Sequence, residues 1–340
     1  MKSKKSIILL TTLLIIGLLT LSVFAAQDKK DVNVVWQGKT GNDFKAVGLI
    51  GMNEDFAFFY SHRIAMEQIA KDNGFKATIL DPKFNPTTYL DNIEQLIAIG
   101  VDAALVNSWD EGLGAAAVSK LKAAGIPTVI LHVEPTDNKE VPVVNMDDYT
   151  GGYIVGEEMA KLWKETNPDV TPVCGIITNT DSITNRARAI GMKDAFLKEY
   201  PDAKLSAELD GAYTQEESMK AAEDLLTAYP DTNVWFTSHT VQGNGVLVAL
   251  KASNKGNWPD SIIGCGDANP QNSEYLKDPE SALKVGMGNS PRTLLEMGWE
   301  ILQDYAAGKP VPLLSQYELK AITYKNIEEF VANDFPQKVK

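Results

Sequence analysis

The sequence predicts an α/β protein of two doubly wound parallel-sheet lobes joined by a multi-strand hinge. From Lys45 to the C-terminus, short apolar runs of strand length alternate with longer stretches of helical period. The short runs are apolar throughout, which suits parallel strands covered on both faces. After a helical stretch over 151–164 and a polar segment over 165–171, the alternation starts again near Val173, so one chain carries two similar units.

The first unit has strand candidates at 46–51, 75–80, 103–107 and 127–131. Between them, 59–73 reads as an amphipathic helix with Ile64, Ala65 and Ile69 on one side and Gly74 as its stop. Leu90, Ile93, Leu96 and Ile97 mark the next helix, which Gly100 ends. The second unit has strand candidates at 173–178, 204–209, 233–237, 262–265 and 283–287. No Gly/Ser-rich linker separates the units, so ordered crossings near Met146, Asn289 and Glu318 are expected, a hinge and not a tether. The N-terminal lobe is then 45–146 plus 290–318, and the C-terminal lobe 147–289 plus 319–340.

Ahead of the lobes, Lys2, Lys4 and Lys5 precede an apolar run from Ile7 to Leu21, followed by Ser22, Val23, Phe24 and Ala25. This reads as an export signal over 1–25, cleaved near Ala25, which sends the chain to the periplasm; an uncleaved anchor is the alternative. Losing that segment removes three lysines and leaves a net charge of −16 from the full chain's −13. A chain so acidic repels nucleic acid and anionic lipid. Cys174 and Cys265 each lie inside an apolar run and read as small buried residues before they read as a bridge.

In open parallel sheets a ligand binds beyond the carboxyl ends of the strands, so the residues that follow each strand matter most. Asn53, Phe56, Phe58 and Phe59 follow the first; Asn107, Ser108, Trp109 and Asp110 the third; His132 and Glu134 the fourth. In the second unit these places hold Asn179, Asp181, Asn185, Arg188, Tyr213, Ser238, His239, Asp267, Asn269 and Asn289. Flat aromatics beside Asp, Asn, Arg and His suit a sugar-like polyol, whose ring has an apolar face and a fringe of hydroxyls that donate and accept. His62 reads as an ordinary residue of the first helix.

The segment from Ala46 to Gly74, with its Phe58-Phe59 pair ahead of a helix that runs into Asn73-Gly74-Phe75, resembles the ribose-binding protein family. The likeness continues through Gly125-Ile126-Pro127, Asn145-Met146-Asp147 with Gly151-Gly152, Arg186-Ala187-Arg188 with Gly191, the stretch Leu225 to Pro230, and Gly308-Lys309-Pro310. The resemblance implies the two-lobed type I periplasmic binding protein fold and a sugar-binding partner of an ABC transporter permease. It implies stacking aromatics at Phe58, Phe59 and Tyr213, a ligand-clamping Arg188, and a far-lobe contact at Asn289. The chain departs from a ribose binder with His132-Val133 in place of Asp-Arg, His239 in place of Asn, and Phe56 in place of a polar residue. The family's later aspartate aligns at Gly266, one residue before Asp267. The expected ligand is therefore a sugar or sugar-like polyol other than ribose.

The expected ligand-binding set is Asn53, Phe58, Phe59, Trp109, His132, Arg188, Tyr213, His239, Asp267 and Asn289. Trp109 has a lobe edge to cap as its alternative, and Asp267 has the cap of the helix after it. Glu157-Glu158 and Glu216-Glu217 read as solvated helix faces and not as a glycosidase pair. Gly112-Leu113-Gly114 imitates a dinucleotide fingerprint but follows the third strand, while Gly243-Asn244-Gly245 and Gly286-Met287-Gly288 read as turns. With no His-Glu-x-x-His, Gly-x-Ser-x-Gly or cysteine cluster, neither an enzyme, a metal nor a cofactor is expected. A monomer is expected; a receptor that feeds a sensor kinase or chemoreceptor is the alternative to transport. Arg188→Ala and Phe59→Ala are each expected to weaken binding without unfolding the protein.

Overall fold

The first strand of the two large sheets is β2, Ala46–Ile50, and its neighbours on both sides run parallel to it. The computed structural model describes residues 32–336, so the predicted export signal lies outside the described residues. In chain order the strands are β1 (Asn33–Val34), β2, β3 (Lys76–Leu80), β4 (Ala103–Ser108), β5 (Thr128–His132), β6 (Val143–Asn145), β7 (Val173–Thr178), β8 (Lys204–Asp210), β9 (Val234–Thr237), β10 (Ile262–Cys265), β11 (Leu283–Gly288), β12 (Val311–Pro312), β13 (Leu314–Gln316) and β14 (Lys320–Ile322). The helices are α1 (Ala57–Asn73), α2 (Pro86–Ile99), α3 (Glu111–Ala123), α4 (Asp148–Thr166), α5 (Ile183–Glu199), α6 (Gln215–Ala228), α7 (Thr240–Ala252), α8 (Ser273–Lys277), α9 (Pro291–Ala306) and α10 (Ile327–Asp334).

Two six-stranded sheets follow one plan. The first has the order β3-β2-β4-β5-β6-β13, the second β8-β7-β9-β10-β11-β14. Each opens with its second strand outside its first, so each has a switch point, between β2 and β4 and between β7 and β9. Every pair in both sheets is parallel except β11 with β14, which is antiparallel. The fold is thus α/β with doubly wound parallel sheets in two units.

The described residues divide into one unit of those up to Glu54, Ala65–Asn145 and Leu294–Tyr317, and a second of Asp55–Ile64, Met146–Thr293 and Glu318 onward. The chain therefore changes unit near Glu54, Ile64, Asn145, Thr293 and Tyr317. The first unit's core sets Ile50, Val106 and Ile130 of its sheet against Tyr89, Ile93, Leu96 and Leu121. The second packs Ile177, Trp235 and Ile263 against Ala222, Leu225, Leu247 and Leu250. A small satellite core of Val34, Trp36, Tyr305, Val311 and Leu313 gathers where β1 pairs with β12. Cys174 and Cys265 are buried and not bridged, and burial pushes both thiols up to about 12. Among the described residues no helix is long and apolar enough to cross a membrane.

Three expectations change. β8 is an edge strand with no buried residue, and Leu205 is 54% exposed, so not every strand is covered on both faces. Gly243 and Gly245 are not in a turn but inside α7, where a Cβ on Gly245 would meet the backbone of α6 at 2.7 Å, from the Gln215 carbonyl. Gly286 and Gly288 lie within β11, where a Cβ would meet Ala268 at 2.8 Å and the Lys320 carbonyl at 2.9 Å. These glycines serve close packing, and sequence alone reads close packing and turns alike.

Candidate functional site

Polar residues follow the strands for two separable reasons, the first of which is helix capping. Asn85, Asp110, Asp147, Ser182 and Thr214 each accept a backbone N–H from the third residue onward, at 2.8–3.3 Å. The Thr214 hydroxyl also donates to the Glu217 carboxylate at 2.6 Å. Caps satisfy the orphan N–H groups at helix starts and say nothing of a ligand.

The second reason is a buried polar cluster at the carboxyl ends of the second unit's strands. α5 carries Arg188 and packs on α4 with the two backbones almost in contact: a Cβ on Gly152 would lie 2.0 Å from the Arg188 carbonyl, on Gly156 2.2 Å from that of Met192, and on Gly191 2.2 Å from that of Tyr149. This approach sets the Arg188 guanidinium beside the start of α4, where its Nε donates to Asp148 Oδ1 at 2.7 Å. Its Nη1 donates to Asp267 Oδ1 and the Ser238 carbonyl at 3.3 Å, and to the Gly266 carbonyl at 3.5 Å. The Arg188 side chain is only 11% exposed, so these charges interact in a poorly screened setting. Burial raises the Asp148 carboxyl, against the pull of Arg188. Asp267 is pushed up to about 6, by burial first, with Asp148 adding and Arg188 and the Thr240 N–H opposing.

At the β7–β9 switch point, Asn179 Oδ1 accepts from Asn185 Nδ2 at 2.8 Å and Gln242 Nε2 at 3.2 Å, and meets His239 Nε2 at 2.9 Å. An amide oxygen only accepts, so His239 carries its proton on Nε2. Burial, and then the charge of Arg188, hold His239 down to about 3, so it is neutral at physiological pH. Tyr213 lies parallel to the His239 ring, with centroids 5.7 Å apart and planes 2° apart, and is 53% exposed. Gln242 also accepts from the Ser238 hydroxyl at 2.7 Å, which in turn meets the Thr178 hydroxyl at 2.9 Å. Asn289, just beyond β11, is buried.

In the first unit Asn107 donates to the Ile50 carbonyl at 2.8 Å and ties β4 to β2 at that unit's switch point. It is a buried strand tie and not an outward lip. Asn53 is half-buried beyond β2. His132 ends β5 with φ 74°, a conformation that costs a non-glycine residue about 1 kcal/mol or more and gathers at functional sites. Of the six described non-glycine residues at positive φ, Lys83, Phe84, His132, Asp137 and Ala212 all lie at or beyond the carboxyl ends of strands. The opening turns of α1 group with the second unit; there Phe58 and Phe59 meet edge to face at 5.3 Å, and His62 lies against them at 4.7 and 5.7 Å.

Five of the predicted residues, Arg188, Tyr213, His239, Asp267 and Asn289, thus lie on the second unit's rim, where Arg188 joins Asp267 and Tyr213 stacks on His239. Trp109 packs edge to face on Tyr89 at 4.9 Å and Phe84 at 5.4 Å, so it caps the first unit's core edge. Asp267 does not cap the helix after it; it takes the Thr240 N–H at the start of α7, and Asn272 flanks α8. The one-residue shift from Gly266 has a steric cause, since a Cβ at 266 would fall 1.9 Å from the Ser238 carbonyl. His62 is no ordinary helix residue but wholly buried against two phenylalanines. Sequence reasoning missed Asp148 and Gln242. The signal for Asp148 was its place three residues before Gly151-Gly152 at a helix start; Gln242 lies in the first turn of α7, three residues after His239, which flanks the helix start. Arg188→Ala is no longer expected to leave the fold undisturbed, because Arg188 neutralises two buried carboxylates.

Asp267 and His239 give opposite pH dependences. The folded state holds the Asp267 proton to about 6 against an ordinary 3.8, so this group's contribution to stability falls as pH rises between those values. His239 is held near 3 against an ordinary 6.5, so its contribution falls as pH drops below 6.5. Between about pH 4 and 6 the two slopes cancel. Asp267→Asn should remove one of them, and thermal unfolding across this window should show stability dropping with acidity by about 1 kcal/mol per pH unit more than in the parent. Parallel profiles would contradict these titrations.

A doubly wound α/β unit with a buried Arg–carboxylate cluster and a stacked aromatic at its switch point is the architecture of a small-molecule binding protein. The periplasmic binding protein domain family matches residues 47–310, and the chain belongs to that family. It is 27% identical over 281 residues to the ribose import binding protein RbsB of Bacillus subtilis strain 168, covering 82% of this chain and 87% of that one. It is 22% identical over 260 residues to the D-apiose import binding protein of Actinobacillus succinogenes, covering 76% and 78%. Among solved structures it resembles an ABC transporter periplasmic solute binding protein of Actinobacillus succinogenes with bound D-allose, at TM-score 0.74 and 19% identity over 84% of this chain and 99% of that one. It also resembles an ABC transporter solute binding protein of Bacillus halodurans with bound myo-inositol, at TM-score 0.73 and 21% identity over 87% and 99%.

Proposed function

We propose that this protein is an exported, monomeric sugar-binding component of an ABC transporter, which closes on one small sugar or sugar-like polyol and presents it to the membrane permease. The observation that carries this is the Asp148–Arg188–Asp267 cluster beside the Tyr213–His239 stack, which sets charged hydrogen-bonding groups next to a flat apolar face. Import binding proteins for ribose and apiose among the relatives support the sugar class.

In this reading Arg188, Asp267, His239 and Asn289 take ligand hydroxyls, and Tyr213, Phe58 and Phe59 take its C–H faces. Asn53 and His132 add polar contacts, and Trp109 a further aromatic one. Neutral His239 with Nε2 fixed on Asn179 offers Nδ1 as an acceptor, where an Asn would offer both a donor and an acceptor. That exchange, with His132 in place of an acid, moves the preference away from ribose. Closure follows from ligand contacts made only in the closed state. No bond is made or broken, so no catalytic residue or cofactor is assigned.

Thermal unfolding with a panel of monosaccharides and cyclitols tests the reading. At a hundred times Kd a ligand adds about 2.7 kcal/mol, which raises Tm by several degrees, whereas nucleotides leave Tm unmoved. A panel without effect at millimolar concentration would remove the sugar assignment.

A further inference from the structure

We propose a second ligand site in this protein: a groove at the amino ends of β7, β8, β9 and β10 that takes a short extended peptide by its free ammonium and free carboxylate. It lies at the opposite end of the second unit's sheet from Arg188, about 20 Å away along the six residues of β7. The site shares no side chain with the Arg188 cluster and stands independently of the sugar reading.

The groove has a volume of about 560 Å³, within the range of small-molecule sites, and is lined by Lys204, Asp231, Lys255 and Asp260. Among the described residues none of these four charges is in an ion pair; the Lys255 ammonium donates to the Pro230 carbonyl. The strand starts are held in step, since Lys204 N donates to the Pro172 carbonyl, Asn233 N to that of Val173 and Ile262 N to that of Asn233, at 2.9–3.0 Å. Two cations and two anions cancel in net charge, so neither nucleic acid nor a simple anion is favoured, and a neutral sugar leaves all four unanswered. A ligand that carries both charges answers them.

Its length follows from the sheet. Neighbouring strands stand about 4.8 Å apart. The order β8-β7-β9-β10 therefore puts Lys204, at the start of β8, about 10 Å from the start of β9, which Asp231 precedes, and about 14 Å from that of β10, which Asp260 precedes. An extended chain spans about 3.4 Å per residue, so three or four residues reach from a carboxylate at Lys204 to an ammonium at Asp231 or Asp260. A single amino acid is too short. Trp163 lines the same groove, is 1% exposed, and its indole N–H has no acceptor among the described residues. A buried donor without an acceptor is costly, and a peptide carbonyl is the acceptor it lacks.

Calorimetry with tri-alanine and tetra-alanine tests this, beside alanine itself and tetra-alanine acetylated at its N-terminus and amidated at its C-terminus. At least one free peptide should saturate a single site with Kd below about 1 mM, and the blocked peptide and alanine should bind at least about tenfold more weakly. Lys204→Gln, and Asp231→Asn combined with Asp260→Asn, change exposed positions where substitution leaves the fold intact, which circular dichroism checks. Each should weaken the free peptide by about tenfold or more. No saturation by either free peptide at about 10 mM overturns the site. Equal binding of blocked and free tetra-alanine, or an affinity unchanged in both variants, overturns it as well.

Discussion

Arg188→Ala should abolish ligand binding and lower stability by about 3–5 kcal/mol, because it strands two buried carboxylates without a counter-charge. In a unit of this size that is a fall in Tm of about 10 °C. Its dependence on pH separates this cause from simple loss of packing. Asp267 is already held up to about 6 with Arg188 present. Without Arg188 both acids take up protons more readily, so the deficit should shrink as pH is lowered below 6, once they are neutral. Adding Asp148→Asn and Asp267→Asn to Arg188→Ala should restore much of the lost stability and none of the binding. Urea denaturation at pH 5 and pH 8 measures the first effect, and the triple variant the second. A deficit equal at both pH values, with no recovery in the triple variant, would mean that Arg188 stabilises through contacts other than these two.

Gly152→Ala should be among the most damaging single methyl groups in the second unit. A Cβ there would lie 2.0 Å from the Arg188 carbonyl, 2.7 Å from its carbonyl carbon and 2.8 Å from its Cα. All three are backbone atoms of a helix, so no side chain can swing aside and α5 must move from α4. Overpacking costs typically 1–3 kcal/mol, and a backbone clash belongs at about the upper end. The displaced residue is Arg188 itself, so its 2.7 Å bond to Asp148 lengthens and ligand affinity should fall by about tenfold or more. Gly41→Ala is the control, since nothing lies within 4 Å of a Cβ there, and it should stay within about 0.5 kcal/mol of the parent. Urea unfolding measures the stabilities and calorimetry the affinities; equal behaviour of the two variants would refute the close approach of the helices.

This pairing of glycines and arginine shows what was legible in the sequence. Gly151-Gly152 and Gly191 stood out as motif residues, and Arg188 as a ligand clamp, but their connection was not readable, because it depends on how two helices cross. Parallel strands read well from unbroken apolar runs such as 103–107 and 173–178. β6, β13 and β14, of three residues each, are too short to give a period. Asp148 was hidden for another reason: at the start of a helix an acid is satisfied by the helix itself, so its type carries no signal until Arg188 is seen against it. Trp109 read as either a ligand wall or a lobe cap, and its half-buried ring packs on the buried ring of Tyr89 at 4.9 Å, a contact common to both readings.

The central claim is that one sugar-like ligand binds through Arg188 and its two carboxylates. Calorimetric titration of the protein with a panel of neutral monosaccharides and cyclitols tests it most directly, with Arg188→Lys run in parallel because lysine keeps the charge and loses the fork. The account predicts a single saturable site for at least one member of the panel, weakened about a hundredfold or more by Arg188→Lys. Binding of equal strength in the two proteins, or no binding across the panel, would contradict it.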